Sequence, residues 1–88
     1  NREFIMIGLA RSLIELNKTE EAKEFIDNVS EMNKNNPYNY YALSKYYDKI
    51  GAEEKALDAV KKCLSIDFSH DREVFKKYKE GLENKVSS

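Results

Sequence analysis

Arg11, Lys45 and Lys79 recur at intervals of 34 residues, and each follows by four residues an apolar or aromatic side chain, Ile7, Tyr41 and Phe75. Residues four apart share one face of a helix, so the spacing predicts a basic row flanked by an apolar row. Lysine and arginine steer carboxylates, while tyrosine and phenylalanine supply desolvated contact area. Such a surface suits an acidic, partly apolar peptide. Two other readings fit the same residues: ordinary solvated charges beside packing aromatics, or phosphate contacts with base stacking in a helical-repeat RNA binder. The net charge of −1 counts against RNA, because general attraction to phosphate backbones is missing, and no nucleic-acid partner is expected.

Reaction chemistry does not converge anywhere. Cys63 and His70 are the single cysteine and the single histidine. As a nucleophile and base they fail by placement, since Cys63 falls at a small packing place inside a helix and His70 in a connection. One of each cannot complete a nitrogen and sulfur metal site, and no Gly-rich phosphate loop is present, so neither a cofactor nor an enzymatic activity is expected. Glu20, Glu21, Glu53, Glu54 and Asp71 stand at helix starts, where the helix dipole accounts for them.

The elements that carry these residues are read from periodicity. Apolar positions at helical spacing predict a first helix over 4–16. Asn17-Lys18-Thr19 then supplies a residue tolerant of left-handed backbone and an N-cap candidate in Thr19. A second helix from Glu20 carries Ala22, Phe25, Ile26, Val29 and Met32. Pro37 suits the first turn of a third helix, which stops at Gly51. A fourth is predicted over 53–66 and a fifth over 71–84, joined by Asp67-Phe68-Ser69-His70, with the tail 84–88 expected to fray. Short connections force antiparallel packing, and no segment alternates like a strand.

Shifting the chain by 34 residues places Met6 on Tyr40, Leu9 on Leu43, Ala10 on Ser44, Leu13 on Tyr47 and Asn17 on Gly51, then Ala22 on Ala56, Ile26 on Val60 and Val29 on Cys63. Tyr40, Leu43, Ser44, Tyr47, Gly51, Ala56, Val60 and Cys63 occupy the large, leucine, small, tyrosine, turn, alanine, aromatic and small places of a tetratricopeptide repeat. The chain resembles that family over nearly its whole length. The resemblance implies an all-α fold of about five helices, in antiparallel hairpins stacked as a right-handed superhelix. It divides one domain, 1–88, into a repeat over 3–36, a repeat over 37–70 and a capping helix over 71–84. Lys34 and Phe68 replace the family's end-of-repeat proline, so the bends between repeats are expected to differ. Ala56 and Ser44 are small where helices approach closely, and Tyr40, Leu43 and Tyr47 form a stripe facing the partner helix.

Similarity to the family further implies a concave face formed by the first helices. By phase it carries Tyr38, Tyr41, Lys45 and Lys49 in the middle repeat, with Phe4, Ile7 and Arg11 before and Arg72, Phe75 and Lys79 after. Only Arg72 and Lys76 match the family's clamp for C-terminal carboxylates. Ile7, Arg11 and Ala42 stand where it needs a lysine and two asparagines, so that clamp is not expected.

The expected function is therefore a protein-interaction module or scaffold that takes a partner peptide or helix, an acidic one suiting the basic row, in the concave groove. Its rival is a structural segment without a separate ligand. The first helix, with Phe4, Ile5, Ile7, Ile14 and further apolar residues, exceeds what one neighbour can cover. That surface would take an upstream repeat or a second copy in a homodimer. The chain begins with Asn1 and reads as a piece of a longer one. No stretch reaches the ~20 apolar residues of a membrane span. A lone cysteine is compatible with a reducing, cytoplasmic compartment.

Overall fold

The computed structural model describes residues 1–87. These form five helices, α1 (Arg2–Glu15), α2 (Thr19–Met32), α3 (Pro37–Lys49), α4 (Glu53–Ser65) and α5 (Arg72–Ser87), with no strand among the described residues. Local chemistry fixes the boundaries. The Asn1 side chain accepts from the Phe4 N–H at 3.3 Å at the start of α1. Asn36 accepts from the N–H groups of Tyr38 and Asn39 at the start of α3, with Pro37 in the first turn. Thr19 does not cap α2. It is the first helical residue, and Lys18 before it makes no side-chain cap bond, so Glu20 and Glu21 are left to complement the helix dipole.

The two hairpin turns are built alike. Asn17 (φ 64°) and Gly51 (φ 85°) take the left-handed conformation. The N–H groups of Asn17 and Lys18 donate to Ile14 and Leu13, and 34 residues later those of Gly51 and Ala52 donate to Asp48 and Tyr47. Both turns satisfy the last carbonyls of the preceding helix in the same way.

α1 packs on α2 and α3 on α4; α3 also rests against both α1 and α2, and α5 lies against α4. The first junction is small and aliphatic, with Ile7, Ala10, Ile14, Ala22, Ile26, Val29 and Ala42 in one buried cluster. Asn39 is buried within it and donates to the Ile26 carbonyl at 3.1 Å and to Ser30 Oγ at 3.0 Å. Beyond α3 the packing becomes aromatic. Tyr41 and Phe75 stack at 4.1 Å between ring centroids, and Tyr78 meets Tyr41 edge-on at 5.1 Å. The expected close approach of Ser44 to Ala56 is made by a hydrogen bond, the Ser44 hydroxyl donating to the Ala56 carbonyl at 2.6 Å. With its one proton committed there, Ser44 Oγ accepts from the Tyr78 hydroxyl, 3.2 Å away.

Two expectations are corrected. α5 continues through Ser87 instead of fraying from 84, because Leu82 is buried and Lys85 reaches Asp48 at 2.9 Å; Ser88 lies outside the described residues. Ile7 and Ile14 are not on an assembly surface, since each is only 4% exposed inside the first cluster. The exposed apolar residues here are Phe4, Ile5 and Leu9 of α1 and Leu16 at its C-cap. The stripe Tyr40, Leu43 and Tyr47 faces α4 as expected: the three are half-buried and line a depression with Lys55, Asp58, Ala59 and Lys62.

Candidate partner-binding groove

Three depressions lie along the side of the molecule where α1, α3 and α5 run. The first, about 290 Å³, is walled by Gly8, Arg11, Ser12, Glu15 and Lys45. The second, about 260 Å³, is formed by Ile14, Glu15, Lys45, Asp48 and Lys49. The third, about 400 Å³, is formed by Asp48, Tyr78, Gly81, Leu82 and Lys85. Glu15 and Lys45 are common to the first two and Asp48 to the last two, so the three join into one channel across the first helices. Gly8 and Gly81 open its ends: each lies inside a helix, and a Cβ added there would meet nothing within 4 Å.

Charge is distributed unevenly along this channel. The Arg11 guanidinium sits 5.1 Å from the centre of the Tyr41 ring, and Lys45 Nζ lies 5.8 Å from Tyr41 and 5.4 Å from Tyr78. In each case it is the charged group itself that stands by the ring, where the negative face of the π-system attracts it. Arg11, Lys45 and Lys49 take part in none of the ion pairs formed among the described residues. Asp48, in contrast, pairs with Lys85, whose own pKa is raised, first by that hydrogen bond and then by the Asp48 charge. Of the two carboxylates in the channel, one is thus already matched by a lysine.

The residues expected on the concave face do not share one environment. Arg11, Lys45 and Lys49 line the channel. Ile7, Tyr41 and Phe75, expected to offer apolar contact there, are 4, 6 and 3% exposed. Adjacent first helices press against one another, and these side chains fill the seams between them. Tyr38 does the same at the other end, meeting Phe68 and Phe75 edge-on and donating its hydroxyl to the His70 carbonyl at 3.0 Å. Arg72 is turned away into a structural role: it donates to the Ile66 carbonyl at 3.0 Å and to the Leu64 carbonyl, and lies over the Phe68 ring. Lys79, although in step with Arg11 and Lys45, lines none of the three depressions and is half-buried on α5. Phe4 remains exposed near the start of α1.

Sequence reasoning missed Gly8, Ser12, Glu15, Asp48, Gly81, Leu82 and Lys85. The available signal was the pair of glycines in helix interiors, where glycine is disfavoured by about 1 kcal/mol against alanine and no turn requires it. Cys63 is fully buried, and burial pushes its thiol up to about 12, although the nearby Arg72 charge acts the other way. That suppresses the thiolate a nucleophile would need.

The hairpins α1–α2 and α3–α4 are built on one plan, and a family model described as Tetratricopeptide repeat matches residues 5–36 and 37–70. The chain belongs to the tetratricopeptide repeat family. Repeats of this family generally mediate protein–protein interaction and are typically non-enzymatic scaffolds. No curated protein and no solved structure matches this chain. In this tetratricopeptide chain the places of the end-of-repeat proline are held by other means: the Tyr40 hydroxyl donates to the Lys34 carbonyl at 2.9 Å, and Phe68 packs on Tyr38. No described helix is long and apolar enough to cross a membrane.

Proposed function

We propose that the chain is a protein-interaction module that holds a carboxylate-bearing segment of a protein partner in the channel across α1, α3 and α5. The observation that carries this reading is the set of cations Arg11, Lys45 and Lys49, gathered from two repeats along one channel and engaged in no ion pair among the described residues. Two are seated beside aromatic rings that restrict their freedom, so less side-chain entropy is lost when a carboxylate arrives. The domain works as one unit, with α5 closing the array as a cap. The test is capture from source-cell lysate by the native chain, by an Arg11→Glu, Lys45→Glu variant, and by a control carrying Lys61→Glu and Lys62→Glu on exposed positions of α4. Proteins lost with the first variant and kept by the control support the channel, and helicity by circular dichroism guards against misfolding. Equal capture by all three sinks it.

A second reading has its own observation. Phe4, Ile5 and Leu9 of α1 and Leu16 at its C-cap each leave more than two-fifths of their surface in water, and exposed apolar surface gathered on one element marks an association site. Under this reading α1 joins another repeat or a second copy, and Leu9→Lys would lower a concentration-dependent mass in sedimentation.

A further inference from the structure

We infer that the channel ends in a pocket for one aliphatic side chain, between α3 and α5, so that the bound segment lies in one order: carboxylates over α1 and α3, an aliphatic residue at α5. The inference rests on the channel reading above and adds the partner's chemistry and its direction.

The pocket arises from a difference between equivalent places. Ala10 and Ser44 are the small residues of the first two repeats, and the residue 34 positions further on is Tyr78. α5 does not approach α3 as closely as α3 approaches α1, and the Tyr78 ring stands between them, edge-on against Tyr41. The ring covers part of the gap left between the helices. The remainder stays open, about 400 Å³ with Tyr78, Gly81 and Leu82 forming its apolar wall. Gly81 has no positive φ and no close neighbour to require it. Its effect on the structure is to leave this wall without a side chain.

The rim is polar and self-satisfied. Asp48 and Lys85 hold each other at 2.9 Å across the mouth, so the pocket presents no spare charge that would demand a polar occupant. Burial pushes the Tyr78 hydroxyl up to about 12, and the ring faces the pocket as a neutral surface. On the far side of Asp48 the channel continues to Lys45 and Lys49 and then to Arg11. A ligand that enters the pocket therefore runs directly into unpaired cations. Charge complementarity selects a protein segment with an aliphatic side chain next to a run of aspartate or glutamate.

The experiment is selection of a random short-peptide display library on the 88-residue chain, on Gly81→Leu and on Lys45→Glu, followed by titration of the synthetic consensus peptide. Leucine at 81 fills the pocket on a helix it favours, and circular dichroism checks that the fold survives. Selection on the native chain is expected to give acidic peptides with an aliphatic residue at fixed spacing from the acidic run. Gly81→Leu is expected to keep the acidic preference, lose the aliphatic one, and bind the consensus peptide roughly tenfold to a hundredfold more weakly, the worth of one buried aliphatic side chain. Lys45→Glu should lose the acidic preference. An acidic consensus with no aliphatic position, or an aliphatic position that Gly81→Leu leaves intact, overturns the pocket while the channel reading stands. Absence of any acidic preference on the native chain overturns both.

Discussion

The junction of α3 with the first hairpin and the junction of α5 with the second occupy equivalent places in the repeat yet are held together by different chemistry. The first closes on small and branched aliphatic residues, with Ala10, Ala22 and Ala42 letting the helices approach. Tyr38, Tyr41, Phe68, Phe75 and Tyr78 fill the second, and Arg72 ties α5 to the carbonyls that follow α4. Small residues bring helix backbones together and leave little between them. Aromatic residues span a wider gap by their own size, and the second junction keeps a larger space at its edge than the first. The channel inherits this asymmetry, smaller and charged over α1 and α3, larger and mostly apolar at α5.

The comparison can be pressed hardest by emptying each junction. Phe75→Ala should cost about 3–5 kcal/mol and Ile26→Ala about 2–5 kcal/mol, but in different ways. α5 contacts chiefly α4, so loss of Phe75 should release α5 first and broaden the denaturant transition. Loss of Ile26 should shift a single transition. Equal, sharp transitions by circular dichroism in both variants would mean that the two junctions are one cooperative unit. Next in size, Arg72→Met removes hydrogen bonds from a charged donor and leaves the carbonyls after α4 unpaired, a loss of about 1.5–3 kcal/mol, again expected in the α5 phase alone. Ser44→Ala restores at the second repeat the residue type of Ala10 and should cost only about 0.5–1.5 kcal/mol. The smallest test is alkaline. Burial raises the Tyr78 pKa from 10.0 to about 12, so above pH 10 the unfolded chain releases this proton before the folded one does. The Tyr78 contribution is therefore intact below pH 10 and is lost as pH rises from there towards about 12, on top of the loss that the buried Cys63 thiol begins near its ordinary value of 9.0. Tyr78→Phe should flatten that part of the pH profile of thermal unfolding relative to the native chain.

Much of the fold could be read in advance because helix signals are local. Asn17 and Gly51 marked the turns, Pro37 a start, and the small types at Ser44 and Ala56 a close contact that proves to be a 2.6 Å hydrogen bond. The groove was legible only in part. Helical phase tells which side of a helix a residue occupies but not what stands beside that side, so Ile7, Tyr41 and Phe75 were placed on a binding face when neighbouring first helices cover them. Arg72 was misplaced for a related reason: the end of α4 leaves carbonyls in want of donors, and a long guanidinium on the first residue of the next helix is within reach of them. Gly81 makes its contribution through an absence, and a pattern of residue types does not measure empty space.

The buried thiol of Cys63 gives the second junction a property separate from binding. It packs with Tyr41 and Phe75, has no exposed surface, and is held protonated up to about pH 12. An alkylating reagent can reach it only when the aromatic cover from α3 and α5 opens, and α5, packed chiefly on α4, is the element expected to lift. The rate of its modification under native conditions is then a clock for that excursion, reporting how often and how far the end of the array breathes without any label being added. If a partner fills the space between α3 and α5, it should slow the clock.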